Sequence, residues 1–523
     1  MDPVIHPDHD SVVVIGAGMG GLAAAIRLAA AGHPVTVLES HGWPGGKMRL
    51  MDSPAGPVDA GPTVLTLRDV LEELFAAAGA SLEGHLTLTP LPELARHFWA
   101  DGTRLDLFPD TGANIAAVTK AFGPRAGAEF GRFARETSDL YQAFEAPIMR
   151  SPRPRALASA AAALARPATL PWLIPGRSLD AMLRARLSEP KLRQLFGRYA
   201  TYVGGNPLQA PAVLGLIWQA EARGVWAVRG GMAALAGALA GLLVALGGRI
   251  HYGAPVAAIT SAGGQVSGLT MANGEHLACK RIIFNGDPAA LPHLLDRPAT
   301  APPKRQTQPR SLSARVWTFA AEVAPESRDL LAYHTVFFAD DPATEFGPLA
   351  RGRTPESPTI YVCAQDRLGA PPDGPERFQF ILNAPAGTPT DDPGKDSPCQ
   401  TYPTRRLAQF GLTLTPEPGP EALTTPQDFA RLFPHSQGAL YGLSPNGALA
   451  TFLRPGARTK LKGLFLAGGG AHPGAGVPMA LNSGAHAARA AMADRISAPM
   501  SRPTATPGGM STGSAMTAPA RSR

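Results

Sequence analysis

Three cysteines in 523 residues are too few and too scattered for a disulfide framework. Cys279, Cys363 and Cys399 form no CxxC pair. That argues against a structural zinc site and suits a reducing compartment. The thirteen histidines show no metal-ligand spacing, so no metal is expected, and no Ser-His-Asp arrangement is apparent. The net charge is +7, yet dense Lys/Arg runs with interleaved aromatics are missing. Nucleic acid is therefore not an expected partner, whereas a basic surface suits an anionic membrane. Met1-Asp2-Pro3 opens an acidic stretch with no positive region ahead of an apolar one, so no secretory signal is read there. Internal repeats are absent.

Long apolar runs are scarce too. Gly230–Gly248 is uncharged and contains Gly237-x-x-x-Gly241. Its central apolar run is short for a span of ~20 residues, and a strand pattern led by Arg249 follows at once. The expectation is a helix whose small residues pack tightly on a sheet.

What is present points to a large folded chain. Apolar residues make up 45% of it, and 57 glycines with 53 prolines imply many turns and close backbone approaches. At about 150 residues per domain, two to four domains are expected. Residues 1–10 and the Ser/Thr/Pro/Gly/Met-rich tail 497–523 read as disordered. Ser11–Ile15 is a β-branched run of the kind buried in parallel sheets. Gly18–Ala31 is helical and stops at Gly32, and Pro34–Leu38 is a second buried strand, which completes a βαβ unit. His97–Phe108 alternates about Asp101-Gly102, predicting a hairpin with a type I′ turn. Helix dominates from about 115 to 245, interrupted by the Pro/Arg/Ala-rich Arg150–Arg177. Ala314–Val323, His334–Ala339, Thr359–Ala364 and Phe378–Asn383 read as strands of a mainly antiparallel sheet. Gly463–Ala467 returns to the buried-strand pattern, and Gly484–Ile496 is helical.

The chemistry-bearing motif lies between the first strand and helix. Gly16, Gly18 and Gly21 form GxGxxG in a βαβ context. Gly16 permits the tight turn, Gly18 lets the backbone approach a pyrophosphate, and Gly21 allows close helix–strand packing. The pyrophosphate would rest on the helix N-terminus. Glu39 ends the second strand, placed to accept hydrogen bonds from a ribose, which suits FAD or NAD better than NADP.

After Glu39 comes Ser40-His41-Gly42-Trp43-Pro44-Gly45-Gly46-Lys47-Met48-Arg49. This resembles a segment of the flavoprotein group that includes amine oxidases, carotenoid desaturases and Rab escort proteins. The resemblance implies FAD, with Gly46 against the cofactor and Lys47 and Arg49 as basic residues near its phosphates. Asp59-Ala60-Gly61-Pro62-Thr63-Val64 resembles the segment that reaches the flavin ring through Thr63 and Val64. The strand at Val256 would contact adenine through its backbone. Gly463–Pro478, which contains His472-Pro473-Gly474-Ala475-Gly476-Val477, closely resembles the carotenoid desaturases, the phytoene-desaturase-like flavoproteins, over about residues 10 to 495. There Gly468, Gly469, Gly476 and Val477 would cover the flavin. Related flavoproteins often place an acidic residue near this turn, where this chain has Gly469, Gly470 and Ala471. His472 stands beside it as the candidate proton acceptor, against the alternative of a histidine that orders the turn.

The implied fold class is α/β: a Rossmann-type FAD-binding domain from 1–80, 225–305 and 455–496. An α+β substrate domain, antiparallel sheet plus helical cap, comes from 81–224 and 306–454. Three segments, AAAIRLAAAGHPVTVLES, SPAGPVDAGPTVLTLRDVLEELFAAAGA and HPGAGVPMALNSG, carry a closer resemblance to the branch acting on 1-hydroxycarotenoids. That implies desaturation at C3–C4 of a 1-hydroxy or 1-methoxy acyclic carotenoid. Hydride loss from allylic C4 and proton loss from C3 would then need only a weak base. The alternatives are a phytoene desaturase, a flavin-dependent carotenoid isomerase, an amine oxidase or a non-enzymatic prenyl-protein-binding relative. A hydrophobic substrate implies peripheral, monotopic association with the cytoplasmic side of a bacterial inner membrane, with 150–177 as the dipping element. The terminal electron acceptor stays open between oxygen and a quinone.

Overall fold

The computed structural model describes residues 11–296, 309–387, 402–447 and 450–494. The two terminal segments read as disordered, and Cys399, lie outside the described residues. Among the described residues, a five-stranded parallel sheet has the order Leu464–Leu466, Arg281–Phe284, Val12–Ile15, Val35–Leu38, Arg249–His251. Val12 pairs with both Val35 and Arg281, so the glycine turn leaves the sheet from its central strand. Helices cover both faces of such a sheet, which explains the unbroken apolar runs rather than alternation. The helices Met19–Ala30 and Val477–Ala493 pack on each other through Gly484. A Cβ there would stand 2.3 Å from the Gly20 carbonyl oxygen.

The uncharged segment forms the 14-residue helix Met232–Ala245, and no described helix is long and apolar enough to cross a membrane. Its GxxxG glycines do not make the contact: Gly237 and Gly241 are exposed, with nothing within 4 Å of an added Cβ. Leu235, Ala236, Leu239 and Leu243 form the buried face instead.

The second large sheet runs Leu414–Thr415, Ser313–Val323, Glu376–Ala384, Ile360–Ala364, His334–Phe337, Ala95–Phe98, Arg104–Leu107, with Leu423–Thr424 also on Ser313–Val323. It is antiparallel except where His334–Phe337 pairs parallel with Ala95–Phe98. The predicted hairpin is present, but its turn is not type I′. Gly102 alone takes positive φ (+84°), and Trp99 N–H donates to Thr103 O at 3.0 Å across a longer loop. Asp101 caps that loop through its side chain, accepting from Thr103 N–H at 3.1 Å, which removes any need for a second left-handed residue.

The helical region includes Pro124–Phe144, the short helix Ala156–Leu164 and the 3-10 turn Pro167–Leu173. Trp172 is buried there, its Nε1–H donating to Glu136 Oε2 at 2.9 Å.

Candidate functional site

The first strand ends in a turn that has no room for side chains. Gly16 takes φ +97°, and its N–H donates to Leu38 O at 2.8 Å. A Cβ on Gly21 would lie 2.2 Å from Gly16 O, and one on Gly20 would lie 2.5 Å from Gly468 N. Gly18 caps the helix Met19–Ala30 without a side-chain acceptor, leaving first-turn N–H groups for an anionic ligand. Glu39 is buried at the end of the second strand. Its Oε2 accepts from Ala17 N–H at 2.7 Å and its Oε1 from His41 N–H at 2.8 Å. The carboxylate is thereby fixed at the mouth of the turn, where a ribose would meet it.

The next segment folds back onto this turn. Gly45 and Gly46 take φ of +98° and +60°, and a Cβ on Gly46 would stand 3.3 Å from Gly18 Cα. Lys47 donates to the Leu440 carbonyl and lies 5.5 Å from the Phe433 ring centroid. Burial, relieved by Asp287 and reinforced by Arg310 and Arg454, brings its pKa down to about 8. Arg49 does not join it: it is buried away from the site, donating to Thr424 Oγ1 at 2.6 Å and stacking on Phe429. Residues 59–64 are clamped by the second sheet. Gln365 bonds both backbone groups of Asp59, Gln379 Nε2 donates to Gly61 O at 2.9 Å, and Thr63 Oγ1 meets Tyr361 Oη at 2.7 Å.

The C-terminal glycines close the cradle. Gly468 takes φ +98°, and Gly476, at φ +101°, caps the helix Val477–Ala493 with no side-chain bond. Asn285, following the strand Arg281–Phe284, wedges between the two ends of the chain. Its Nδ2–H donates to Gly16 O at 3.2 Å, while its buried Oδ1 has no protein partner. Asp287, just beyond the strand Arg281–Phe284, borders the same space and pairs with Arg310.

Of the two readings of His472, the structure favours the histidine that orders the turn. It is buried outside the cavity, with Nε2 at 3.0 Å from Ser151 O and its ring stacked on His486. Burial lowers its pKa. It ties the turn to the helical region and touches nothing that could react.

One continuous cavity of about 690 Å³ joins these parts. Gly16, Gly18, Glu39, Gly46, Lys47, Thr63, Val64, Val256, Gly468, Gly469, Gly476 and Val477 all line it. Gly21 stays inside the turn as a packing residue. Beyond Thr63 the cavity opens into a chamber walled by Ala314, Val316, Ile381, Phe429 and Leu440, with Arg198, Tyr202, Tyr361, Gln379 and Asn383 as polar members. Its carboxylates, among the described residues, are Glu39 and Asp287 alone. Sequence reading missed Asn285, Asp287, Arg198 and Tyr361. Asn285 and Asp287 follow a recognisable buried strand, a local signal, whereas Arg198 and Tyr361 carry none.

The glycine cradle, the two uncapped helix N-termini, the Glu39 carboxylate and the orphan Asn285 oxygen fit a flavin dinucleotide. They define an FAD-dependent oxidoreductase of the Rossmann type. The chain belongs to the family described as flavin containing amine oxidoreductase, which it matches over residues 19–492, and within it to the phytoene-desaturase-like carotenoid desaturases. Hydroxyneurosporene desaturase of Cereibacter sphaeroides is 56% identical over 489 residues, covering 93% of this chain and 98% of its own. Its namesake from Rhodobacter capsulatus is 54% identical, covering 93% and 98%. Wild-type putrescine oxidase bound to putrescine shares the fold at a TM-score of 0.60 and 16% identity, over 92% of this chain and 99% of its own.

Proposed function

We propose that this enzyme introduces the C3–C4 double bond into acyclic carotenoids that carry a hydroxyl or methoxyl group at C1. The near end-to-end match to two hydroxyneurosporene desaturases carries this reading. Bound FAD supplies two-electron oxidation of the allylic C–H bond. The protein's share is alignment and exclusion of water. The apolar chamber wall holds the polyene, and Thr63, held by Tyr361, borders the passage from the glycine cradle. His334 Nδ1 lies 2.7 Å from Tyr361 Oη, and burial lowers its pKa to about 3, so the imidazole there is neutral. No carboxylate among the described residues lines the chamber end, as suits a reaction whose second step loses a proton to a weak base. The test is an absorbance assay with FAD-loaded enzyme and liposomes. A red shift with a 1-hydroxy acyclic carotenoid but not with phytoene is the expected result. Coloured products from phytoene would move the assignment to an earlier desaturation.

Peripheral binding at the cytoplasmic face of an inner membrane completes the reading, with oxygen or a quinone taking up the electrons. Its support is the exposure of Leu157 (90%), Leu164 (68%) and Ile174 (50%) beside Arg153 and Arg155. Trp172, buried, is not part of that surface. The double change Leu157→Glu with Leu164→Glu is expected to weaken sedimentation with anionic vesicles by about tenfold or more, from lost apolar insertion. Unchanged sedimentation would relocate the contact.

A further inference from the structure

Arg198 ends the helix Pro190–Arg198 and lines the chamber end of the cavity. Among the described residues its one direct side-chain hydrogen bond runs from Nη1–H to Tyr202 Oη at 3.3 Å. Its other close neighbours are ring faces: the guanidinium carbon lies 5.3 Å from the centroids of both Tyr202 and Tyr361. The counter-charge stands one residue away. The hydroxyls of Tyr199 and Tyr202 both donate to buried Glu221, from Tyr199 at 2.6 Å. Charge is thus balanced at a distance, while most of the guanidinium's donors have no acceptor among the described residues. Unmet donors in an apolar chamber are costly, and a hydrocarbon polyene brings nothing to accept them.

We propose that Arg198, braced by Tyr202 and Glu221, determines specificity for the oxygenated end of the substrate by donating to the oxygen on its C1. This rests on the carotenoid reading above. An oxygen on C1 is only a few bonds from C3 and C4, so its partner must lie close to the reacting bond rather than far down the chamber. Arg198 satisfies this. It covers the face of Tyr361, whose hydroxyl holds Thr63 of the segment predicted to meet the flavin ring. The Tyr202 hydroxyl is committed to Glu221, so Arg198 itself offers donors only, and toward it the substrate oxygen serves as an acceptor. A methyl ether therefore satisfies it as well as an alcohol, and a hydrocarbon end does not.

The test uses the full chain, FAD-loaded, with liposomes and three carotenoids that differ only at C1: hydroxyl, methoxyl and hydrogen. kcat/KM and the dissociation constant are measured for each. Both oxygenated ends are expected to exceed the hydrocarbon by about tenfold to a hundredfold, the range for hydrogen bonds from a charged donor. Arg198→Met is expected to collapse that ratio toward one, and Arg198→Lys to retain part of it. Flavin absorbance reports folding, and if Arg198→Met loses it, Arg198→Lys and Tyr202→Phe carry the comparison. A ratio that survives these changes, or a parallel fall for all three carotenoids, overturns the assignment, as does a wild-type preference for hydroxyl over methoxyl beyond a few-fold. Absence of turnover with every carotenoid would sink the proposed desaturation, and the ratio of dissociation constants would still decide the role of Arg198.

Discussion

Gly21→Ala is expected to yield a nearly colourless protein, with FAD content below about a tenth of the wild type. The added methyl would stand 2.2 Å from the Gly16 carbonyl oxygen and 3.0 Å from Asn285 Nδ2. The carbonyl is backbone, so the neighbour cannot rotate away. Either the helix Met19–Ala30 lifts from the sheet or the turn opens, and each moves its first N–H groups off the pyrophosphate position. Overpacking of this kind costs about 1–3 kcal/mol or more, and each 1.4 kcal/mol taken from binding is about tenfold in affinity. Gly237→Ala is the matched control. Gly237 is exposed inside a helix with nothing within 4 Å, so alanine there is expected to keep FAD and to stabilise the fold by up to about 1 kcal/mol. Full FAD retention by Gly21→Ala, measured as the ratio of flavin to protein absorbance, would refute the packing argument.

Glu376→Ala is expected to destabilise the fold by roughly 3–5 kcal/mol, the cost of leaving a buried charge without its partner. Arg367 and Glu376 form a two-pronged pair, Nε to Oε2 at 2.6 Å and Nη2 to Oε1 at 2.8 Å, with side chains 5% and 2% exposed. Arg367 also donates to the Leu331 carbonyl at 3.0 Å, so it cannot swing out to water without losing that bond. The consequence reaches the site. Glu376 opens the strand Glu376–Ala384, whose Gln379 clamps Gly61 beside the predicted flavin-facing residues. Thermal unfolding should shift down by about 3–5 °C in a chain of this size. The double change Arg367→Met with Glu376→Leu removes both charges and is expected to recover most of the loss. If the double variant is no more stable than Glu376→Ala, the cost lies in packing rather than in the stranded charge.

Much of the cofactor half was legible in the sequence because its signals are local. A β-branched run, a glycine turn and an acidic strand end each act within a few residues through backbone sterics and hydrogen bonds. Strand positions and the GxGxxG turn therefore match the structure to within a residue or two. The resemblance added Gly46, Lys47, Thr63, Val64, Val256 and the C-terminal glycines, and the fold brings all of them to one cavity. Side-chain directions were less legible, for a different reason. His472 lies two residues from the glycine turn, yet its ring points to the Ser151 carbonyl, 321 positions away. Arg49 sits two residues from Lys47 but points to Thr424. Side-chain direction there is set by what a distant segment offers, and no local pattern encodes it.

The same division separates the two ends of the cavity. The sequence alone determined the parallel βαβ unit, the glycine turn with Glu39 at the end of the second strand, and the antiparallel character of the second sheet. Backbone propensity, glycine φ freedom and hydrophobic periodicity act within short stretches. Only the tertiary structure decided which polar groups face the chamber. Arg198, Tyr202 and Tyr361 come from separate elements, and their meeting depends on how helix and sheet pack. The packing links Arg198 through the Tyr202 hydroxyl to buried Glu221, a contact no short stretch of sequence encodes.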